Sequence, residues 1–203
     1  MTAVYLDIGT KRVFACSVEW PGWARGGRDE GAALEALEAY RSRYEPVAVA
    51  AKLEFSPGSI DVVERAQGNA TTDFGAPGGI PDLDRGAVSA ELAARDAALL
   101  SAIWEYFDRV VAGAPASLTK GPRGGGRDRD KIVGHVADAE FAYASAIGLK
   151  GKTGTREAIL AVVGAPSPPH SETGFKWPTR YMVRRAAWHV LDHAWEIEDR
   201  TPR

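Results

Sequence analysis

The sequence predicts an α+β fold in which a small N-terminal α/β domain precedes an up-down four-helix bundle. Three observations lead to this prediction: short alternating apolar runs near the N-terminus, a Gly- and Pro-rich stretch near the middle, and long apolar stripes at helical spacing after it. They divide the chain into an α/β domain at residues 1–67, an inter-domain loop at 68–87 and a helical domain at 88–203.

The N-terminal elements follow from alternation and turn chemistry. Residues 4–8 and 13–18 predict two short strands, because apolar side chains alternate in both and the turn GTKR separates them. Apolar side chains at three- and four-residue steps predict a helix at 29–44. Residues 46–55 and 60–64 are further strand candidates. The expected order of this domain is ββαβ.

Four helices are expected in the second half, each with one apolar face. They cover residues 88–111, a segment starting after Asp128, residues 155–163, and a segment starting near Pro178. Four helices with apolar stripes predict a bundle. The preceding loop resists helical and strand interpretations, and its polar residues either line a site or belong to a packed linker.

Composition and charge limit the partners. The formal net charge of −2 provides no general attraction to nucleic acid or to an anionic membrane, so a small-molecule substrate is expected instead. The N-terminus lacks the long apolar segment of a signal peptide, and the single Cys16 cannot form an internal disulfide, so we expect a cytoplasmic protein. Trp20 and Trp23 could form an exposed aromatic patch, which would suit a homodimer.

Three of the four histidines lie on inner helical faces. His189 and His193 are four residues apart, so their imidazoles project from one face, one turn apart. His135 lies on the apolar stripe of a different helix. Three imidazoles with an open fourth position form a known catalytic metal site, and burying three unpaired rings would otherwise be costly. The sequence therefore predicts a divalent metal at these residues, with zinc or nickel favoured.

Nearby residues refine the prediction. The segment HVLDH lacks the glutamate of an HExxH peptidase, because Val190 stands at that position. Asp138, Asp192 and Glu196 lie within one turn of a histidine and could bond to its ring nitrogen, although solvent-facing salt bridges would explain them equally well.

A basic glycine-rich segment, KGPRGGGRDR, precedes the helix of His135. Its arginines, Arg123, Arg127 and Arg129, could attract a carboxylate or phosphate, although a solvated mobile loop is the alternative.

The segments GHVADAE and RRAAWHVLDHAWEIEDR resemble the DinB/YfiT-like superfamily of metal-binding four-helix bundles. The resemblance covers residues 88–200 and implies a metal-binding role for His135, His189 and His193. Related members are S-transferases that use bacillithiol or mycothiol, and a mycothiol-dependent maleylpyruvate isomerase. The resemblance therefore implies a low-molecular-weight thiol as a second cofactor.

The N-terminal segment VFACSVEWPGWARGGRDEGAALEALEAY resembles, over about 40 residues, the core of HicB antitoxins, in which a strand leads through a Pro-Gly turn into a helix. This resemblance implies a fold and no activity. Three functions stay open at this point: a metal-dependent thiol transferase or isomerase, a metal-dependent hydrolase, and a binding or regulatory module stabilised by a structural metal.

Overall fold

In the computed structural model, which describes residues 1–121, 126–151 and 154–202, four strands form one mixed sheet. The strands are β1 (Thr2–Ile8), β2 (Val13–Ser17), β3 (Ala24–Gly27) and β4 (Ile60–Gln67). Their order in the sheet is β3-β2-β1-β4, with β1 antiparallel to β2 and parallel to β4. The return from the β2–β3 edge to β4 runs through two helices, as a parallel pairing requires.

Eight α-helices lie in the described residues. They are α1 (Glu30–Ala39), α2 (Arg41–Ala50), α3 (Ala70–Phe74), α4 (Ala90–Gly113), α5 (Arg129–Ala146), α6 (Arg156–Val163), α7 (His170–Thr173) and α8 (Thr179–Arg200). Side chains of Asp29, Ser89 and Thr155 cap α1, α4 and α6 by accepting a backbone N–H of the first turn. No helix in these residues combines the length and apolarity needed to cross a bilayer.

The central strand β1 is covered on both faces. Val4 and Leu6 point into the main core, whereas Tyr5 packs on the opposite face in a cluster that contains Phe14 and Trp188. Trp188 belongs to α8 and meets Phe14 edge to face, with ring centroids 5.8 Å apart. The sheet therefore lies directly against the last helix of the chain.

Helix α8 is enclosed on nearly every side. All its residues from 181 to 191 are buried, because α4, α5 and α6 pack around it and the sheet closes another side. Gly22, in the turn between β2 and β3, packs so closely that a Cβ there would lie 2.8 Å from Leu191. A helix at the outside of a four-helix bundle would keep a solvated face, which α8 lacks between residues 181 and 191.

The expected fold, a ββαβ domain followed by an up-down four-helix bundle, is therefore wrong. The N-terminal order is βββααβ, and the main core contains side chains from strands and helices of both halves. Sheet and helices form one α+β structure around α8 instead of an N-terminal domain and a following bundle. The boundaries proposed at 68–87 stay a prediction.

Three local predictions also differ from the structure. The helix expected at 29–44 is broken at Tyr40. The first half of the strand expected at 46–55 falls within α2, which carries Pro46 inside it. Part of the loop at 68–87 is the short helix α3, whose start is fixed by a reciprocal capping box between Asn69 and Thr72.

The expected exposed aromatic patch is absent. Trp20 and Trp23 are 7% and 0% exposed, because both pack against Tyr44 and Phe55. The indole N–H of Trp23 also donates to the Leu37 carbonyl at 2.8 Å. This cluster joins the Pro-Gly turn to α1 and α2 and leaves neither ring available to a partner.

Candidate metal centre

Helices α5 and α8 carry the three histidines singled out from the sequence. His135 projects from α5, whereas His189 and His193 project from one face of α8, four residues apart. Helix α8 is fixed by its buried surroundings, and Ile132 and Val136, which flank His135 on α5, are both fully buried. Both helices thus hold their histidines by core packing.

The structure brings the three rings together. Ring centroids lie 4.9 Å apart for His135 and His189, 5.0 Å for His135 and His193, and 4.7 Å for His189 and His193. One nitrogen from each ring can be chosen so that all three lie within 4.8 Å of one another. The closest pair, Nε2 of His135 and Nε2 of His189, is 3.1 Å apart. In a tetrahedral zinc site with bonds of roughly 2.0–2.1 Å, neighbouring nitrogens lie roughly 3.3 Å apart.

Burial keeps two of these imidazoles neutral. Burial, followed by the charges of His193 and Arg185, lowers the pKa of His189 to about 2. The pKa of His135 is also lowered, chiefly by burial and then by His193. Neutral imidazole is the form that binds a metal, so no proton has to be displaced from either ring near pH 7. The donor set and its protonation therefore fit a divalent ion.

Glu196 orients the third ring. Its Oε2 lies 2.9 Å from Nδ1 of His193, and its Oε1 accepts from Nη1 of Arg200 at 2.6 Å. The hydrogen bond with His193 is the largest cause of the lowered pKa of Glu196. With Nδ1 engaged, the Nε2 of His193 would be the nitrogen available to a metal, as in carboxylate–histidine–metal arrangements.

The other two acidic candidates make no hydrogen bond to a histidine within the described residues. Asp192 lines the site but pairs with Arg25 at 2.7 Å. Asp138 is exposed and makes no hydrogen bond to a histidine within the described residues. Of the three acidic residues named from the sequence, only Glu196 contacts a histidine.

Among its described residues, the basic segment contributes the side chain of Arg127 to the site. Arg127 lies at the rim of the pocket beside the histidines. Arg129 instead bonds to the Ala114 carbonyl and to Asp130. Arg123 falls outside the described residues.

The histidines form one wall of a pocket of about 370 Å³. Tyr143 and Trp188 supply aromatic surface, and Phe74 of α3 stands 90% exposed at its edge. Arg185 also lines this pocket and was not identified from the sequence. Its position four residues before His189 was the available signal, because that spacing places it on the same helical face.

The chain matches no protein-family model, no curated protein and no solved structure.

Proposed function

We propose that the protein is a metal-dependent enzyme in which His135, His189 and His193 hold one divalent ion, zinc or nickel. The observation that supports it most directly is the convergence of three imidazole nitrogens, within 4.8 Å of one another, on the wall of an open pocket. Three imidazoles with a free fourth position are a typical catalytic arrangement of zinc.

Catalysis is favoured over a purely structural metal by the absence of a fourth protein ligand in the described part of the chain. Structural zinc sites normally have four protein ligands. Two acidic side chains of these helices are engaged in ion pairs, Asp192 with Arg25 and Glu140 with Arg156. An ion held by the three histidines would therefore keep a position for a ligand from the pocket that they line.

A bound ion of this kind lowers the pKa of a thiol or water so that a nucleophile exists near pH 7. We propose thiol chemistry, with mycothiol or bacillithiol as the thiol, on the strength of the resemblance to DinB/YfiT proteins. The chain's own residues would orient and shield: Glu196 fixes the His193 ring, while Tyr143 and Trp188 form an apolar wall that limits access of water.

The test is thiol transfer to an electrophilic aryl chloride. The thiol sulfur forms a bond to the ring carbon, chloride leaves, and the thiol proton passes to solvent. With zinc- or nickel-loaded protein and mycothiol or bacillithiol, we expect a rate above the uncatalysed one. That gain should be lost in His135→Ala and His189→Ala.

His170→Ala is the matched control, because the fourth histidine lies on α7 and bonds within that helix to Thr173. It should retain the full rate. Stoichiometric metal with no thiol turnover, or equal rates in His135→Ala and the wild type, would contradict the proposal. Turnover of ester or amide substrates alone would replace thiol transfer by hydrolysis.

A further inference from the structure

Arg185 is a buried cation that makes no hydrogen bond or ion pair within the described residues. It lies on α8 one turn before His189 and is 9% exposed. Its Nη1 is buried and has no hydrogen-bond partner, and none of the ion pairs in the described residues includes it. An unpaired charge held away from water is strongly unfavourable unless something neutralises it.

The neighbouring arginines of the same helix show the contrast. Arg184 pairs with the buried Asp84 at 2.9 Å, and Arg180 pairs with the buried Asp96 at 3.1 Å. Arg200 pairs with Glu196 at 2.6 Å. The protein thus supplies each of these guanidinium groups with a carboxylate, and Arg185 is left without one.

Two aromatic rings hold the Arg185 guanidinium in place. Its central carbon lies 4.9 Å from the ring centroid of Trp188 and 5.5 Å from that of Tyr143. Such contacts hold the planar group by its faces. The buried carboxylate of Asp7 interacts electrostatically with Arg185, but its hydrogen bonds come from Gly78, Gly79 and Thr72. A carboxylate that bonds directly to Arg185 would therefore have to come from outside the described chain.

The pocket beside Arg185 provides the place for it. Arg185, Tyr143 and Trp188 line the same 370 Å³ cavity as the three histidines, and Arg127 stands at its rim. Side chains four residues apart on a helix have Cβ atoms roughly 5–6 Å apart, so Arg185 and His189 mark two positions about one turn apart along the pocket.

We infer that Arg185 is the anion-binding residue of this pocket and that its ligand is a small organic acid. The carboxylate of this ligand accepts hydrogen bonds from guanidinium N–H groups that line the pocket, since arginine binds carboxylates strongly. The apolar part of the same ligand packs on Tyr143 and Trp188. This contact places the end of the ligand opposite to the carboxylate at the histidines. That last placement rests on the proposed metal centre, whereas the anion site does not.

The experiment uses phenylacetate and its uncharged analogue phenylacetamide as probes, with protein from which metal has been removed by a chelator. Omitting the metal prevents the carboxylate from binding to the ion instead of to Arg185. Titration followed by NMR should show saturable binding of phenylacetate and at least about tenfold weaker binding of phenylacetamide. The comparison uses the wild-type chain and needs no variant to fold.

Variants locate the site. Arg185→Gln should weaken phenylacetate binding at least about tenfold, since glutamine lacks both the positive charge and the guanidinium N–H donors of arginine. Arg65→Gln is the control, because that arginine is exposed, pairs with Glu30 and does not line the pocket. Because the titration contains no metal, failure of the proposed metal centre leaves this test intact.

Equal affinity for the two probes, or an Arg185→Gln protein that binds phenylacetate as tightly as the wild type, would overturn the inference. So would the absence of any phenylacetate binding at tens of millimolar. Loss of binding in His135→Ala with retention in Arg185→Gln would move the anion site to the histidines and would also overturn it.

Discussion

Glu196 lies with its Oε2 2.9 Å from Nδ1 of His193, one turn along α8, while Arg200 bonds the other carboxylate oxygen. The carboxylate thereby selects the tautomer of the ring and fixes its orientation. Loss of such a partner typically costs 10- to 100-fold in metal affinity in other proteins.

Glu196→Ala should therefore weaken zinc binding by roughly 10- to 100-fold, measured by competition with a chromophoric chelator. Asp138→Ala is the matched control, because this exposed acid also lies within one turn of a histidine but makes no hydrogen bond to it. Equal losses in the two variants would show that only the general negative charge matters.

The Arg184–Asp84 pair should carry much of the attachment of α8 to the turn at Asp82–Asp84. Asp84 is 1% exposed, and Arg184 also donates to the carbonyls of Ser17 and Val18 at 2.6 and 2.7 Å. Removing one member of a buried pair leaves the other charge uncompensated, so Asp84→Ala should lower the free energy of unfolding by about 3–5 kcal/mol.

Urea unfolding measures this difference. Glu30→Ala, which removes an exposed pair with Arg65, should leave the unfolding midpoint nearly unchanged. A midpoint for Asp84→Ala close to that of the wild type would mean that the buried pair does not stabilise the fold.

Asp7 should make stability depend on pH. Burial raises its pKa, although the N–H groups of Gly78 and Gly79 and the hydroxyl of Thr72 donate to it. Because the pKa is higher in the folded than in the unfolded protein, the folded state retains the proton longer. The contribution of protonated Asp7 to the free energy of unfolding is therefore complete below about pH 4. It is lost as pH rises through the folded-state pKa of Asp7.

The measurement compares wild type with Asp7→Asn, which keeps the shape but cannot ionise. The unfolding free energy of the wild type minus that of the variant should be largest near about pH 3.5 and should fall towards neutral pH. A difference that grows with pH would show instead that the three donors stabilise the charged carboxylate.

The long helices and the histidine cluster could be predicted from the sequence. Helices α4, α5, α6 and α8 begin within about two residues of the predicted positions, because apolar periodicity and residues such as Ser89, Thr155 and Pro178 mark their starts. The same periodicity placed His135, His189 and His193 on inner faces. The spacing of side chains along a helix depends only on residues close in sequence, so the sequence pattern was sufficient to predict it.

Features that depend on tertiary contacts could not be predicted. Strand β3 has the sequence ARGG, which has no apolar pattern. Its strand conformation depends on pairing with β2 at the edge of the sheet. The residues after Pro46 are rich in valine and alanine and fit a strand, but packing of Tyr44 and Val47 into the core keeps them helical. The burial of α8 on nearly every side could not be predicted either. Polar residues such as Arg184 suggest a solvated face, and their buried partners lie far away in the sequence.

The most direct test of the central claim is calorimetric titration of zinc into metal-free protein. The account predicts one bound equivalent per chain, at least about 100-fold weaker binding in His135→Ala, and unchanged binding in His170→Ala. Zinc binding by His135→Ala as tight as that of the wild type, or no stoichiometric binding by the wild type, would contradict it.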